Sequence, residues 1–279
     1  VWECPPNGQG IAALIALNIF ENFDQFDSEL MKVHYQIESM KIAFRDALWY
    51  VADPDKFKVP IDHLLSKEYA KKRFNEINSS KSNYGYRKGN FKQQGDTVYI
   101  SVIDGEGNAC SLINSLYQGF GAGLVVPETG IALQNRGALF SLNQDHPNIF
   151  EPLKRPFNTI IPAMITKESK LVSSMGVMGG FQQPQGHMQV ISNMVDYDMS
   201  PQSALDNKRF SVSIEEDLVY LENSFPNEVI QELRGRGHNV DIKSGYERGL
   251  FGGGQIINNY KNNVLIGGSD SRKDGQAVS

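Results

Sequence analysis

Gly95-Asp96-Thr97-Val98-Tyr99-Ile100-Ser101-Val102-Ile103-Asp104-Gly105-Glu106-Gly107-Asn108-Ala109 is the stretch where the chain changes character. Before it, Asn78 to Gln94 carries Ser79, Ser80, Ser82, Asn83, Gly85, Gly89, Asn90, Gln93 and Gln94 and has almost nothing to bury. Such a segment reads as a loop or linker. From Thr97 onward the apolar period falls from about 3.6 to 2, the alternation of a strand. Thr97–Asp104 and Asn108–Ser115 are apolar, β-prone runs joined by Gly105-Glu106-Gly107, which predicts a hairpin. Thr97 is therefore a hydroxyl at the first position of a strand, directly behind an accessible polar segment.

Outward from this point the two sides differ. Residues 1–78 read as helical: an apolar helix over Ile11–Phe23 follows the turn Pro5-Pro6-Asn7-Gly8-Gln9-Gly10. Ser28 is a good N-cap for a second helix. Its face is marked by Val33, Ile37, Met40, Phe44, Ala47, Leu48 and Val51 at spacings of three and four, and it ends at Asp53-Pro54. A third helix is expected over Lys67–Ile77. Residues 79–96 form the linker. Residues 97–279 mix strands (expected at 159–166, 171–175, 218–221, 240–242, 255–259 and 263–266) with helices at 184–196, 201–207 and 227–236. Strands, then helices, then strands predict layered α+β packing rather than an alternating βαβ fold.

Composition removes several function classes. The chain has 279 residues, a net charge of -5 and a pI near 5.6, whereas nucleic acid and anionic membrane surfaces call for a basic face. The longest apolar run, Ile11–Phe20, is far short of the roughly 20 residues of a membrane span. Five histidines show no HxxxH or HxH spacing, and Cys4 and Cys110 form no CxxC, so no metal or redox motif is indicated and no cofactor is called for. Two lone cysteines lean toward a reducing, cytoplasmic compartment. The start, Val1-Trp2-Glu3-Cys4, has neither Met nor a signal-like core and reads as a chain met in mid-protein. Gly252-Gly253-Gly254 leads into a strand rather than a helix, which is not the setting of a phosphate loop. No GxSxG elbow is present.

What remains is hydroxyl chemistry. A threonine hydroxyl needs a base, and one solution is the residue's own α-amine, freed when the peptide before it is cut; that makes Asp96-Thr97 the candidate cleavage point. Taken alone, a strand-initial threonine is equally an ordinary strand residue. Gly179-Gly180, closing Met175-Gly176-Val177-Met178-Gly179-Gly180, could offer backbone N–H groups to an oxyanion or simply make a tight turn. Asn114-Ser115-Leu116-Tyr117-Gln118-Gly119 ends a strand in a glycine-rich loop, a common pocket arrangement or a plain return.

Together these segments resemble the gamma-glutamyltranspeptidase family. Thr97 to Asp104 with Gly107-Asn108-Ala109 looks like the start of that family's small subunit, and Gly130-Ile131-Ala132-Leu133-Gln134-Asn135-Arg136 is similar to its Gly-Ile-x-Leu-Asn-Asn segment. Lys154-Arg155-Pro156, Gly179-Gly180 and Gly268-Ser269-Asp270-Ser271-Arg272 also match, and Glu3–Gly10 and His34–Asp53 resemble the end of the large subunit. The resemblance implies an N-terminal-nucleophile αββα four-layer sandwich of which this chain is the C-terminal part. It makes Thr97 the nucleophile, Ser115 its hydroxyl partner and Gly179 and Gly180 the oxyanion donors. Tyr117, Asn135, Arg136, Asn158 and Thr159 fall in the substrate site.

The departures are specific. Arg136-Gly137-Ala138-Leu139 stands where the family has acidic residues for the substrate's α-ammonium, Asn158 and Thr159 replace a serine pair, and Tyr117 replaces an asparagine. These resemble the glutathione-hydrolase-like and cephalosporin-acylase-like branch. Three activities are implied: transfer or hydrolysis of a γ-glutamyl amide, an acylase on a non-glutamyl amide, or an unprocessed binding protein. Arg136 is read either as a carboxylate ligand or as half of a structural salt bridge. The partners implied are a small γ-glutamyl or acyl-amide substrate, the N-terminal large-subunit region or a second chain carrying it, and further copies in a homo-oligomer.

Overall fold

The computed structural model describes residues 1–24, 28–83, 96–213, 215–260 and 264–279. The greater part of the linker expected at 79–96 lies outside the described residues. Of Asp96 only the backbone is described.

The helical part runs α1 (Gly10–Phe20), α2 (Glu29–Tyr50), α3 (Ile61–Leu64) and α4 (Lys67–Phe74). Ser28 caps α2 as its sequence position predicts, its Oγ accepting from the Met31 N–H at 3.2 Å. Ser66 does the same for α4, accepting from Tyr69 N–H at 3.1 Å. The strand-rich part opens with β1 (Asp96–Ile103) and β2 (Ala109–Tyr117), the expected hairpin, paired antiparallel. β3 (Ala163–Lys167), β4 (Lys170–Val177), α5 (Gln182–Val195) and α6 (Pro201–Asp206) follow. Then come β5 (Phe210–Ser213), β6 (Leu218–Glu222), α7 (Asn227–Gly235), β7 (Val240–Lys243), β8 (Gly254–Asn259) and β9 (Leu265–Ser269).

β3-β4-β8-β9 form one antiparallel sheet and β5-β6-β7 a smaller one. The β1–β2 pair lies face to face on the four-stranded sheet. Ser101 Oγ donates to Ser174 Oγ at 2.7 Å, and a side chain at Gly176 would strike the Tyr99 ring at 2.4 Å. On the sheet's other face lie α5 and α6, with α1 against α5. The layers present are thus helix, sheet and sheet. Along β1 the side chains alternate: Tyr99 is buried, whereas Val98, Ile100 and Val102 are exposed, joined by Leu112 of β2.

Two expectations need correction. No strand covers Thr159–Pro162; β3 starts only at Ala163, because Pro162 has no N–H to offer a ladder. β5 was not foreseen because all four of its residues are buried, leaving no alternation to read. The main core crosses the expected region boundary: Ile15, Ile19, Ile37, Met40 and Phe44 of α1 and α2 belong to one cluster with Phe157, Phe181, Phe210 and Leu233.

Candidate active site

Thr97 enters β1 opposite Ser115, and the pairing is irregular there. Asp96 pairs with Tyr117 and Thr97 with Ser115, so Leu116 is an extra residue in β2. The bulge turns Tyr117 into a left-handed conformation, φ 77°, uncommon outside glycine. Thr97 Oγ1 donates to Ser115 Oγ at 3.0 Å, and the same Ser115 oxygen accepts from the Tyr117 N–H at 3.0 Å. The two hydroxyls expected to act together are in contact.

The oxyanion candidates are reached through sheet register. Ser101 sits over Ser174 and Tyr99 over Gly176. These contacts run toward the C-terminal end of β4 as β1 runs back toward Thr97, and β4 ends at Val177, two residues before Gly179-Gly180. Gly179 (φ 124°) and Gly180 (φ 61°) both take conformations that L side chains resist. Their carbonyls are engaged on the helix side, Gly179 O by Gln182 N–H at 3.0 Å and Gly180 O by Gln183 N–H at 3.2 Å. In a trans peptide the N–H points opposite to the carbonyl, so the Gly180 N–H is turned away from α5. Among the described residues neither glycine N–H donates to a protein acceptor.

Arg136 is buried, Nη1 donating to Thr159 Oγ1 at 2.7 Å and Nη2 to the Ser115 carbonyl at 3.2 Å. Its guanidinium carbon lies 5.7 Å from the Tyr117 ring centre. Among the described residues it makes no ion pair. Burial pulls its pKa below the ordinary value, but a guanidinium still keeps its charge in water-like pH ranges. Leu139, at the position where an acid would answer an ammonium, is buried. Burial also pushes the Tyr117 phenol up to about 12, which keeps it neutral. Asn135 braces the loop, Nδ2 donating to Gln118 Oε1 at 2.6 Å and Oδ1 accepting from Gln118 N–H at 3.2 Å. Asn158 serves through its backbone: its N–H donates to Asn7 O at 2.8 Å and its carbonyl accepts from Gln9 N–H at 2.9 Å.

One residue of this network was missed. Gln9, fully buried, donates from Nε2 to the Thr159 carbonyl at 2.7 Å and the Gly180 carbonyl at 2.9 Å. The contacts thus run from Thr97 through Ser115, Arg136, Thr159 and Gln9 to Gly180. The signal was slight: a long amide stands just ahead of α1, where a short capping side chain is the rule, and it makes no cap bond.

The C-terminal motif is structural. Asp270 Oδ2 pairs with Arg209 Nη2 at 2.6 Å and accepts from Gly254 N–H at 3.0 Å; Arg272 pairs with Glu222 at 2.5 Å. It holds the Gly252–Gly254 turn, and Met178 N–H donates to the Gly253 carbonyl at 2.9 Å. The motif supports the Gly179-Gly180 loop from behind.

The family model of gamma-glutamyltranspeptidase matches residues 1–279. The chain belongs to the gamma-glutamyltranspeptidase family. It is 38% identical over 288 residues to the glutathione hydrolase-like YwrD proenzyme of Bacillus subtilis (strain 168), covering 100% of this chain and 53% of that protein. It is 33% identical to the oxamate amidohydrolase proenzyme of Klebsiella pneumoniae, with coverage of 100% and 53%. The cephalosporin acylase of Bacillus halodurans superposes with a TM-score of 0.89 at 44% identity, over 99% of this chain and 50% of that one. The chain spans about half the length of the curated relatives it matches. The fold is that of the C-terminal part of an α+β N-terminal-nucleophile hydrolase.

Proposed function

We propose that the full-length protein carrying this chain is a self-activating amidohydrolase, cut between Asp96 and Thr97. The observation that carries the reading is the 3.0 Å bond between Thr97 Oγ1 and Ser115 Oγ at the first turn of β1. Cleavage frees the Thr97 α-amine, whose unperturbed pKa of about 7.7–8.0 suits a base near neutral pH. The amine takes the Thr97 hydroxyl proton, the oxygen attacks an amide carbonyl, and an acyl-enzyme forms as the amine leaves with that proton. Water or a second amine then resolves the ester. Gly179 and Gly180 N–H groups face the developing oxyanion, each such donor contributing roughly 2.7–4 kcal/mol.

For the acyl group, a buried Arg136 with no acid paired to it among the described residues favours a carboxylate, and Leu139 offers nothing to an α-ammonium. A γ-glutamyl donor carries both charges on one carbon; a glutaryl-type donor of equal chain length carries the carboxylate alone. The site therefore favours an acylase on carboxyl-bearing, non-glutamyl amides over a glutathione hydrolase. The exposed Val98, Ile100, Val102 and Leu112 face supports a partner layer supplied by the N-terminal region of the longer protein. Free, exposed Cys4 and Cys110 support a cytoplasmic setting.

The test is an intact mass of the full-length protein after prolonged incubation, beside Thr97→Ala. Fragments meeting at Asp96/Thr97 in the wild type only are expected. An intact wild-type chain would sink the mechanism and leave a binding role. Glutaryl- against γ-glutamyl-p-nitroanilide then separates the two acyl donors: a faster γ-glutamyl substrate refutes the Arg136 argument.

A further inference from the structure

We infer that Gln9 is a positioning residue that holds the oxyanion loop in its productive orientation from the far side of the cleavage point; this rests on the amidohydrolase reading above. Gly180 is the weak element of such a loop. With no side chain and open space around it, its peptide with Phe181 can turn over at little steric cost. A turned peptide would aim a carbonyl oxygen, instead of leaving donors, at the developing negative charge. The Gln183 N–H alone is a 3.2 Å restraint on that carbonyl. Gln9 Nε2 adds a second at 2.9 Å, and spans from there to the Thr159 carbonyl at 2.7 Å. Thr159 is also the residue whose hydroxyl meets Arg136.

Gln9 itself has no freedom to drift. Its backbone N–H is bound to the Asn158 carbonyl at 2.9 Å, its carbonyl accepts from Ala12 N–H at 2.8 Å, and its side chain is inaccessible. Its Oε1 is buried with no hydrogen-bond partner among the described residues. A buried acceptor left unpaired is costly, so the carboxamide is placed for its two N–H bonds rather than for its own solvation. Residues 1–96 thereby set the geometry of a loop that belongs to 97–279, and one side chain ties the acyl site to the oxyanion site.

The experiment uses the full-length protein with Gln9→Met, which keeps the length and removes both donors, and Gln9→Glu, which keeps the shape but presents oxygen to two carbonyls. The probes are glutaryl- and γ-glutamyl-p-nitroanilide, together with a boronic acid that forms a tetrahedral anion on a hydroxyl nucleophile. Both variants are expected to lose at least tenfold in kcat, with KM within about threefold and boronate affinity reduced in step with kcat. Amide hydrogen exchange at Gly180–Gln182 is expected to quicken in Gln9→Met while exchange in β4 stays unchanged. Wild-type kcat in both variants, or a loss confined to KM, overturns the inference. Should the wild type turn over neither anilide, the amidohydrolase reading fails, and unchanged exchange at Gly180–Gln182 would by itself overturn the clamp.

Discussion

Gly252→Ala puts the support behind the oxyanion loop under direct strain. Gly252 has φ 76° and ψ -176°, a region essentially reserved for glycine, where any other residue costs about 1–3 kcal/mol. A Cβ there would lie 2.2 Å from the Met178 carbonyl oxygen, 0.8 Å inside the 3.0 Å floor for such contacts, and 3.0 Å from Val177 Cγ1. Overpacking of this kind typically adds about 1–3 kcal/mol, for a total of about 2–6 kcal/mol. The obstacle is backbone, so relief requires Met178, and Gly179 after it, to move. Misplacement by about 1 Å can cost about 100-fold in rate. Urea denaturation of the full-length protein and kcat on the most active anilide measure the two effects. Gly137→Ala is the control: beside Arg136, it has nothing within 4 Å of its would-be Cβ and no left-handed φ. It should change stability by no more than about 0.5 kcal/mol. Gly252→Ala within 0.5 kcal/mol and twofold in kcat, in the same assays, refutes the argument that this turn props the loop.

Three further outcomes are expected. Ser115→Ala removes the partner of Thr97 Oγ1 and the acceptor of Tyr117 N–H; it should cost about 1–3 kcal/mol and slow self-cleavage by about tenfold or more, with Ser115→Thr restoring the hydroxyl, as read by timed mass spectrometry. Activity of the cut protein should rise with pH through about 7.7–8.0, because the neutral α-amine is the base, and a profile flat from pH 6 to 9 would argue against it. Asp270→Asn leaves the buried Arg209 short of its charge partner and should destabilise by about 3–5 kcal/mol in urea titrations. Burial would raise the Asp270 pKa, but Arg209 and Arg272 outweigh it and hold the carboxyl below its usual value. Its contribution is therefore present above about pH 3.8 and lost as pH falls through the lower folded value, so the wild type should lose its advantage over Asp270→Asn only in strong acid.

How much of this was legible follows from the range of each interaction. The hairpin and the Ser28 cap rest on local period and turn chemistry, which a sequence carries openly, whereas the Thr97–Ser115 encounter was reached through the family resemblance. Arg136 was found but left between two roles, because whether a buried cation has a partner depends on residues far along the chain; the structure gives it Thr159 and a carbonyl instead of an acid. β3 was drawn too long by reading β-propensity through Pro162. Gln9 was passed over because its partners lie 150 and 171 residues away. The Asp270–Arg272 motif could be matched in sequence, whereas its use as a buried ion network beneath the Gly252 turn required the fold.

The proposed cut would sever the chain without loosening the site, because the ties across it do not pass through the peptide being broken. Phe44 of α2 meets the Phe181 ring at 6.3 Å, edge to face, and Asp53 holds Arg155 at 2.6 Å just ahead of Asn158. Glu3 Oε1 accepts from His187 Nδ1 at 2.6 Å; the other ring nitrogen accepts from Val177 N–H at 3.1 Å, which fixes the tautomer and the end of β4 leading to the glycines. On the upstream side Lys41 Nζ donates to Ser82 Oγ at 2.7 Å, pinning the start of the linker. Downstream, seven cross-strand pairs from Thr97–Ser115 to Ile103–Ala109 remain when Asp96 is released. What the cut removes is the partner of Tyr117 at the bulge, the one irregular pair of the ladder. The new amine would thus be created at the end of a strand whose register is already set, beside Ser115 and the side chains it contacts.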